Sequence, residues 1–549
     1  MDMRRLFLFL IFSFSLVVLW GEWTRQNQPA QPIATSSTAE SKDPSAPPVA
    51  KSLVPQQTAA ITTPVESPKL PTGKTISVTT DTLKVEINSV GGNIERLDLL
   101  KHRTASDQTK SIVLMQHQGD QTYLAQSGLL GKGLPTHNAE FQSAVSEYSL
   151  SEGKDTVEVK LSALNTDGAQ VTKTYTFHRS SYLVDVAYEI ENKGSSTISP
   201  SAYFQLVRDS STPEGASSFV PTYTGAAVYT DIEKFQKIAF SDIEKNKISL
   251  PKDPDNGWVG MVQHYFVSAW LPQGKTVREF YTKHLEGNLF SVGVILPIAS
   301  IEPNQTARIS TPLYVGPAVS QLDEVAPGLG LTVDYGMFTV FAAPLFWLMS
   351  FLNDWVGNWG VAIVLLTVLI KLAFFPLSAA SYRSMAKMRV VAPKLELIKK
   401  QYGDDRERLN KAMMDLYKTE KINPLGGCLP VLIQIPVFIG LYWAILESVE
   451  LRHAPFFGWI TDLSATDPYF ILPLIMGASM IIQSKLNPVP TDPIQAKVMQ
   501  IMPIAFSVVF FFFPAGLVLY SLVNNILSIG QQWYINRDAD ASQKGSTKA

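Results

Sequence analysis

The chain has 549 residues and a formal net charge of −2, a balance too near neutral for a general nucleic-acid binder. One cysteine, Cys428, excludes an intrachain disulfide, and seven histidines without HExxH or HxH spacing argue against a zinc enzyme. Mean hydropathy is slightly positive, but it averages a polar first part with a last ~200 residues that hold nearly all the long apolar runs.

Arg4 and Arg5 precede an apolar stretch over residues 6–20, with Trp20 and Trp23 at its far end. No small-x-small cleavage site follows, so residues 1–23 are expected to be an uncleaved transmembrane anchor with a cytoplasmic N-terminus. A cleaved signal peptide is the alternative. Residues 24–74 are rich in Pro, Gln, Ser, Thr and Ala and predict a disordered linker. Over residues 75–325 the pattern is β. Val184, Val186, Tyr188 and Ile190 alternate with polar neighbours, and residues 83–87, 94–99, 156–161 and 173–177 do likewise. Many short strands with turn signals predict a large β-sandwich, placed outside the cytoplasmic membrane by the anchor before it.

Residues 335–356 are apolar and aromatic but interrupted by Pro344 and Asn353-Asp354, which predicts an interfacial amphipathic helix. Five spans are expected next, over residues 359–377, 424–449, 468–484, 494–513 and 514–535. The last two come from one run of about 42 residues, whose ~63 Å as a single helix would overshoot a ~30 Å hydrocarbon core, and Phe513-Pro-Ala-Gly516 is the natural break. The class is a polytopic α-helical membrane protein with six transmembrane helices and a large β-sandwich domain. Both termini are cytoplasmic, with residues 538–549 a cytoplasmic tail.

Between residues 378 and 423 a helical hairpin is expected. Residues 378–422 carry eleven Lys/Arg against six Asp/Glu, which puts this loop inside. Leu395, Ile398 and Tyr402 form one stripe and Leu409, Met413 and Leu416 its answer. Gly403 suits the first helix's C-cap, Asp404 or Asp405 the second's N-cap, and Pro393 is expected to begin or kink the first helix. Lys399, Lys400, Arg406 and Arg408 are candidates to dock an anionic partner such as ribosomal RNA, without sequence preference. A solvated topology determinant that binds nothing is the other reading.

Lys371 stands out because it lies inside the apolar run 361–375. A charge at the centre of a spanning helix costs roughly 2.5–3.5 kcal/mol. Snorkelling over roughly 9 Å to the cytoplasmic surface is one answer. The last span offers another: Ser521, Asn524, Asn525, Ser528 and Gln532 share one helix face, and Gln434 lies inside the third span. No Asp or Glu lies deep in any of these spans, which fits a water-filled groove better than a proton relay. The sequence shows no GxSxG motif, Walker A motif or metal cluster, and neither an enzyme nor a cofactor is expected.

Specific motifs occur in order: Asn358-Trp-Gly360, Tyr382-Arg-Ser-Met-Ala-Lys-Met388, Asn423-Pro-Leu-Gly-Gly-Cys428, Leu432-Ile-Gln-Ile-Pro436, Asp467-Pro-Tyr469, Asp492-Pro493 and Phe513-Pro-Ala-Gly-Leu517. Together they resemble the YidC/Oxa/Alb family of membrane protein insertases, in the bacterial inner-membrane type with a large periplasmic domain. The resemblance covers residues 335–537 by motif and the rest by layout. It implies a five-helix insertase core around a hydrophilic groove open to the cytoplasm and to lipid. Lys371 stands where the family usually has arginine. The resemblance further implies that Thr367, Gln434, Ile435, Pro436, Phe438, Phe510 and Tyr520 line the groove or the slide for a nascent segment. It implies a sugar-mutarotase-like fold without that activity for the β domain. The partners it implies are nascent membrane proteins, the Sec translocon, the ribosome with its targeting receptor, and the lipid bilayer. A transporter or channel, and an anchored periplasmic carbohydrate-active enzyme, are the rival readings.

Overall fold

The computed structural model describes residues 73–546 apart from 106, 120, 165–167, 214–221, 404, 421–428 and 488–492. The expected anchor and nearly all of the expected linker lie outside the described residues, as do Asp404 and the Asn423–Cys428 motif.

The period-2 runs are strands. Two nine-stranded sheets form between Thr75 and Pro317. One runs edge to edge through Glu279–His284, Leu289–Pro297, Ser201–Asp209, Gln121–Leu130, Ser111–Gln118, Asn93–Arg103, Leu83–Asn88, Thr75–Thr79 and Glu147–Ser149. The other runs through Lys234–Ile238, Gly225–Thr230, Trp258–Gln263, Phe266–Trp270, Thr306–Pro317, Leu183–Asn192, Ala169–His178, Thr156–Ala163 and Phe141–Ser143. Val85, Ile94 and Phe204 of the first meet Val159, Val186 and Leu313 of the second in one apolar core, which makes the pair a sandwich.

Inward parity on Ala169–His178 is Val171, Lys173, Tyr175, Phe177, so the alternation carries a lysine into the core. Lys173 is fully buried. Its Nζ donates to the carbonyls of Gly91 and Gly92 at 3.1 and 2.9 Å and lies over the rings of Tyr175 and Tyr188. Burial pulls its pKa well below the usual lysine range. The two carbonyls are presented by a turn in which Gly91 and Gly92 have φ of 75° and 56°, and a Cβ at Gly91 would sit 1.9 Å from the His137 carbonyl.

Burial also holds His102, His137 and His264 neutral, each with its pKa pulled down to about 4. Unfolded, they titrate near 6.5, so the stability they contribute is complete above that pH and is lost as pH falls toward 4. Glu450, raised to about 7 by burial, has the opposite sign and weakens the fold as pH rises through that window. The full chain is therefore expected to melt lower at pH 4.5 than at pH 6.5. His137→Gln with His264→Gln should flatten that slope in a thermal melt followed by β-sheet circular dichroism. An unchanged slope would remove the histidines from the account.

After short 3-10 turns the chain becomes helical: α1 (Thr339–Val356), α2 (Trp359–Ala373), α3 (Phe375–Tyr402), α4 (Arg406–Thr419), α5 (Leu429–Glu447), α6 (Ile471–Leu486), α7 (Pro493–Val509) and α8 (Ala515–Ser546). α8 packs against α2, α3, α5 and α6, and α7 against α6. The core among them includes Ile363, Leu366, Leu441, Ile445, Leu517 and Val518.

Two of the sequence motifs are structural caps. Asn358 Oδ1 accepts the Val361 amide at 3.0 Å and starts α2, while Gly360 admits the ring of Phe456, which a Cβ would meet at 2.1 Å. Buried Asp467 accepts the Trp459 indole N–H and the amides of Tyr469 and Leu472, tying the outer loop to the start of α6.

Several boundaries differ from the sequence reading. The expected span 359–377 is not one rod: α2 ends at Ala373, and α3 leaves at 66° after Phe374. Pro376 lacks an amide hydrogen, and its ring crowds the carbonyl four residues back, which favours a kink or break at this point. The hairpin's first helix thus begins at Phe375 rather than 378, and it runs through Pro393 instead of starting there. Asp405 caps α4 by accepting the amides of Glu407 and Arg408. The hairpin seam is Val391 and Leu395 against Met413, Leu416 and Tyr417, about one turn of α3 nearer the break at Phe374 than the predicted stripe. α8 continues to Ser546, through most of the expected tail. Finally, α1 packs its Ala342, Phe346 and Met349 edge on α2 and α5 while Val340, Trp347 and Trp355 stay exposed. Among the described residues, Gly336–Val356 is the one unbent helical stretch long and apolar enough to cross a membrane, although its interruptions predict an interfacial position.

The sandwich and the helices are joined at one end. Lys237 ion-pairs with Asp334, His264 Nε2 donates to the Leu446 carbonyl at 3.0 Å, and His453 Nε2 lies 3.3 Å from the Arg103 carbonyl.

Candidate substrate groove

Lys371 occupies the last turn of α2 and is half-buried against α8. Its Nζ donates to Ser528 Oγ at 2.7 Å, and Ser528 Oγ donates onward to the Asn524 carbonyl at 2.7 Å. Among the described residues no carboxylate lies within ion-pair distance of Lys371. A neutral hydroxyl is a weak partner for an ammonium, which keeps two further donors. Gln434, on α5, donates to the Tyr520 hydroxyl. A small cleft of about 20 Å³ opens between Lys371, Phe374, Ile433 and Gln434, room for about one water.

The polar face of α8 divides its attention. Ser528 turns to α2, while Asn525 donates to Ser479 of α6 at 2.7 Å and Gln532 donates to Asn487 Oδ1 at 3.0 Å. Asn524 Oδ1 is buried without a hydrogen-bond partner among the described residues. Lys371 thus meets the Asn524–Ser528 turn through Ser528 and shares the small cleft with Gln434. Thr367 and Ser521 do not join them. Both are buried, and each hydroxyl bonds a carbonyl of its own helix, Ile363 and Leu517.

The slide residues also separate. Ile435 is exposed on α5 beside exposed Leu432, and Pro436 and Phe438 are half-buried. Phe510 and Tyr520 lie inside the helical core, not on a surface. After α7 the chain tightens into the 3-10 turn Phe510–Phe512, which packs the Phe510 ring edge-on against Phe513 at 5.7 Å. The exposed apolar face of α7 consists instead of Ile501, Ile504, Phe506 and Val508.

On the hairpin, Lys399 and Lys400 are exposed near its tip, while Arg408 pairs with Asp405 at 3.2 Å. The side chain of Arg406 lies outside the described residues. Lys394 pairs with Glu420 at 2.7 Å across the hairpin, and Arg389 donates to the Leu486 carbonyl, fixing the arm to the end of α6.

This arrangement sits in a chain with close full-length relatives. The membrane protein insertase YidC of Methylobacillus flagellatus is 54% identical over 554 residues, covering all of both chains. That of Nitrosospira multiformis is 53% identical over 566, covering 100% of this chain and 99% of the relative. The chain belongs to the YidC family of membrane protein insertases. Two family models match it and meet within α1: the YidC periplasmic domain over residues 75–348 and the 60Kd inner membrane protein over residues 351–543. A crystal structure of an active YidC insertase with its first transmembrane domain resolved is 20% identical, with a TM-score of 0.39, covering 84% of this chain and 93% of that one.

Proposed function

We propose that the chain inserts nascent proteins into the bacterial inner membrane by drawing a short polar tail into the cleft beside Lys371. The observation that carries this reading is a half-buried lysine that, among the described residues, bonds a serine hydroxyl and no carboxylate, next to the exposed apolar pair Leu432 and Ile435. The apolar part of a substrate lies along α5 and α7 while its acidic tail pairs with the ammonium. Release into lipid is downhill, because a long apolar segment prefers hydrocarbon. The membrane potential adds ~2.3 kcal/mol per negative charge per 100 mV in the outward direction. No catalytic group and no cofactor enters this cycle.

In this reading α2, α5, α6, α7 and α8 cross the bilayer, with the hairpin inside and the sandwich outside. α2 and α7, at 15 and 17 residues, reach only about 22 and 25 Å, short of a ~30 Å core, and favour a locally thinned bilayer. Photocrosslinkers at Gln434 and Ile435 should capture stalled nascent membrane proteins, while one at Ile482 on α6 should not. Capture equal at all three positions would remove the groove from the mechanism.

The hairpin is the docking arm for the ribosome or a targeting receptor in this reading, with Lys399, Lys400, Arg406 and Arg408 as contacts. Lys399→Glu with Lys400→Glu is expected to lower co-sedimentation with translating ribosomes, more strongly at low salt. Unchanged co-sedimentation would leave the arm as a topology determinant. Work beside the Sec translocon belongs to the same proposal and is testable by crosslinking in membranes.

A further inference from the structure

A sizeable cavity lies away from the groove, where the sandwich meets the loop between α5 and α6. It encloses about 590 Å³, within the ~300–1,000 Å³ typical of small-molecule sites. Its walls come from three places: Tyr123 and Arg208 of the first sheet, the Gln263–Phe266 turn of the second, and Arg452 and Asp462 of the outer loop.

Arg208 is the unusual group. It is 5% exposed, its guanidinium stacks 4.9 Å from the Tyr123 ring centre, and its Nη1 donates to Gln263 Oε1 at 2.5 Å. Among the described residues no carboxylate pairs with it. A guanidinium has five donors, and a buried one left short of acceptors is costly. The acids in the same wall are engaged elsewhere. Asp209 accepts the amides of Thr122 at 2.5 Å and Ser211 at 2.7 Å. Asp462 Oδ1 accepts from Ser464 and Ala465, and its Oδ2 faces His453 Nδ1 at 3.1 Å. A second guanidinium, Arg452, lies over the Tyr265 ring at 5.8 Å. Two guanidiniums backed by aromatic rings and an amide suit an anion carried on a small polar body.

We propose that this cavity binds a phosphate ester on a glycerol-sized body, its phosphate held by Arg208 and Arg452 and its body resting on Tyr123 and Tyr265. A free glycerophosphate and a lipid headgroup share this chemistry. The lipid source rests on the topology proposed above, which sets this end of α5 and α6 at the outer bilayer surface.

The test uses the full chain in nanodiscs. In discs of phosphatidylcholine alone, glycerol 3-phosphate is titrated by calorimetry, with glycerol as the control. In discs doped with phosphatidylglycerol, native mass spectrometry counts the lipids retained after detergent release. Saturable binding of one molecule per chain in either arm upholds the site, and the arm that shows it names the source. Arg208→Gln and Arg452→Gln are each expected to weaken it about tenfold or more, and Thr212→Trp, at an exposed lining position, to block it. Arg452 and Thr212 are accessible, so those variants remain informative if Arg208→Gln fails to fold. Binding in neither arm, glycerol binding as tightly as its phosphate, or folded variants binding like the native chain would each overturn the proposal. Insertion measured in the same discs stays independent, so loss of this site leaves the groove reading standing.

Discussion

Lys371→Ala is expected to insert a substrate with an acidic translocated tail about tenfold more slowly than the native chain, while Lys371→Arg keeps the native rate. The size follows from the loss of one hydrogen bond between charged groups, about 1.5–3 kcal/mol when partly shielded from water. The direction follows from the site, where among the described residues the ammonium meets Ser528 Oγ and no carboxylate, and so has donors to spare. A fork in place of a point charge alters the geometry of a bidentate contact but not the attraction. Three tails separate charge from shape: acidic, neutral and basic. Alanine should slow the acidic tail, leave the neutral one near the native rate and ease the basic one. Reconstituted insertion, followed by protease protection, reads all three. Equal slowing of all three tails would mean that the lysine holds the helices together instead of attracting cargo. Ser528→Ala provides a control, since it removes the hydroxyl and leaves the charge.

Lys173→Ala is expected to cost the sandwich about 3–5 kcal/mol, the largest stability loss of any single substitution considered. It leaves a cavity, and it strips an acceptor's partner from two buried carbonyls. The Tyr175 hydroxyl still reaches the Gly92 carbonyl at 2.5 Å, so Gly91 suffers more. Lys173→Met keeps most of the volume and loses the two hydrogen bonds, so about 1–3 kcal/mol is expected. Chemical denaturation of the full chain, read by intrinsic fluorescence of Trp258 and Trp270, tests the order. A methionine variant as unstable as the alanine variant would show that the two hydrogen bonds, not the packing, dominate.

These two lysines also measure what was legible in the amino-acid order. Both sit in phase with apolar neighbours, one at period 2 and one in a helix. The bilayer made Lys371 conspicuous, because a span tolerates few charges. Lys173 passed unnoticed, because strands alternate freely and a lysine in a β run reads as solvent-facing. Its parity with Val171, Tyr175 and Phe177 was the available signal. The strands themselves were legible because one face of each sheet is buried. What local pattern cannot hold is how far apart segments meet: the turn of Phe510 into the core, the seating of α1 on α2 and α5, and the junction around Arg208 all depend on contacts between distant residues. The break at Phe374 was within reach, since Pro376 disfavours the straight helix that hydropathy alone would draw.

That break joins two rigid rods of unequal length. Lys371 lies three residues before the joint, and α3 extends 28 residues beyond it, about 42 Å. The pair has the proportions of a crank. A rotation of about 10° at Phe374 carries the hairpin tip through roughly 7 Å while the lysine's own turn shifts by under about 1 Å. A load applied at the tip therefore reaches the helix end that carries Lys371 reduced in travel and multiplied in force.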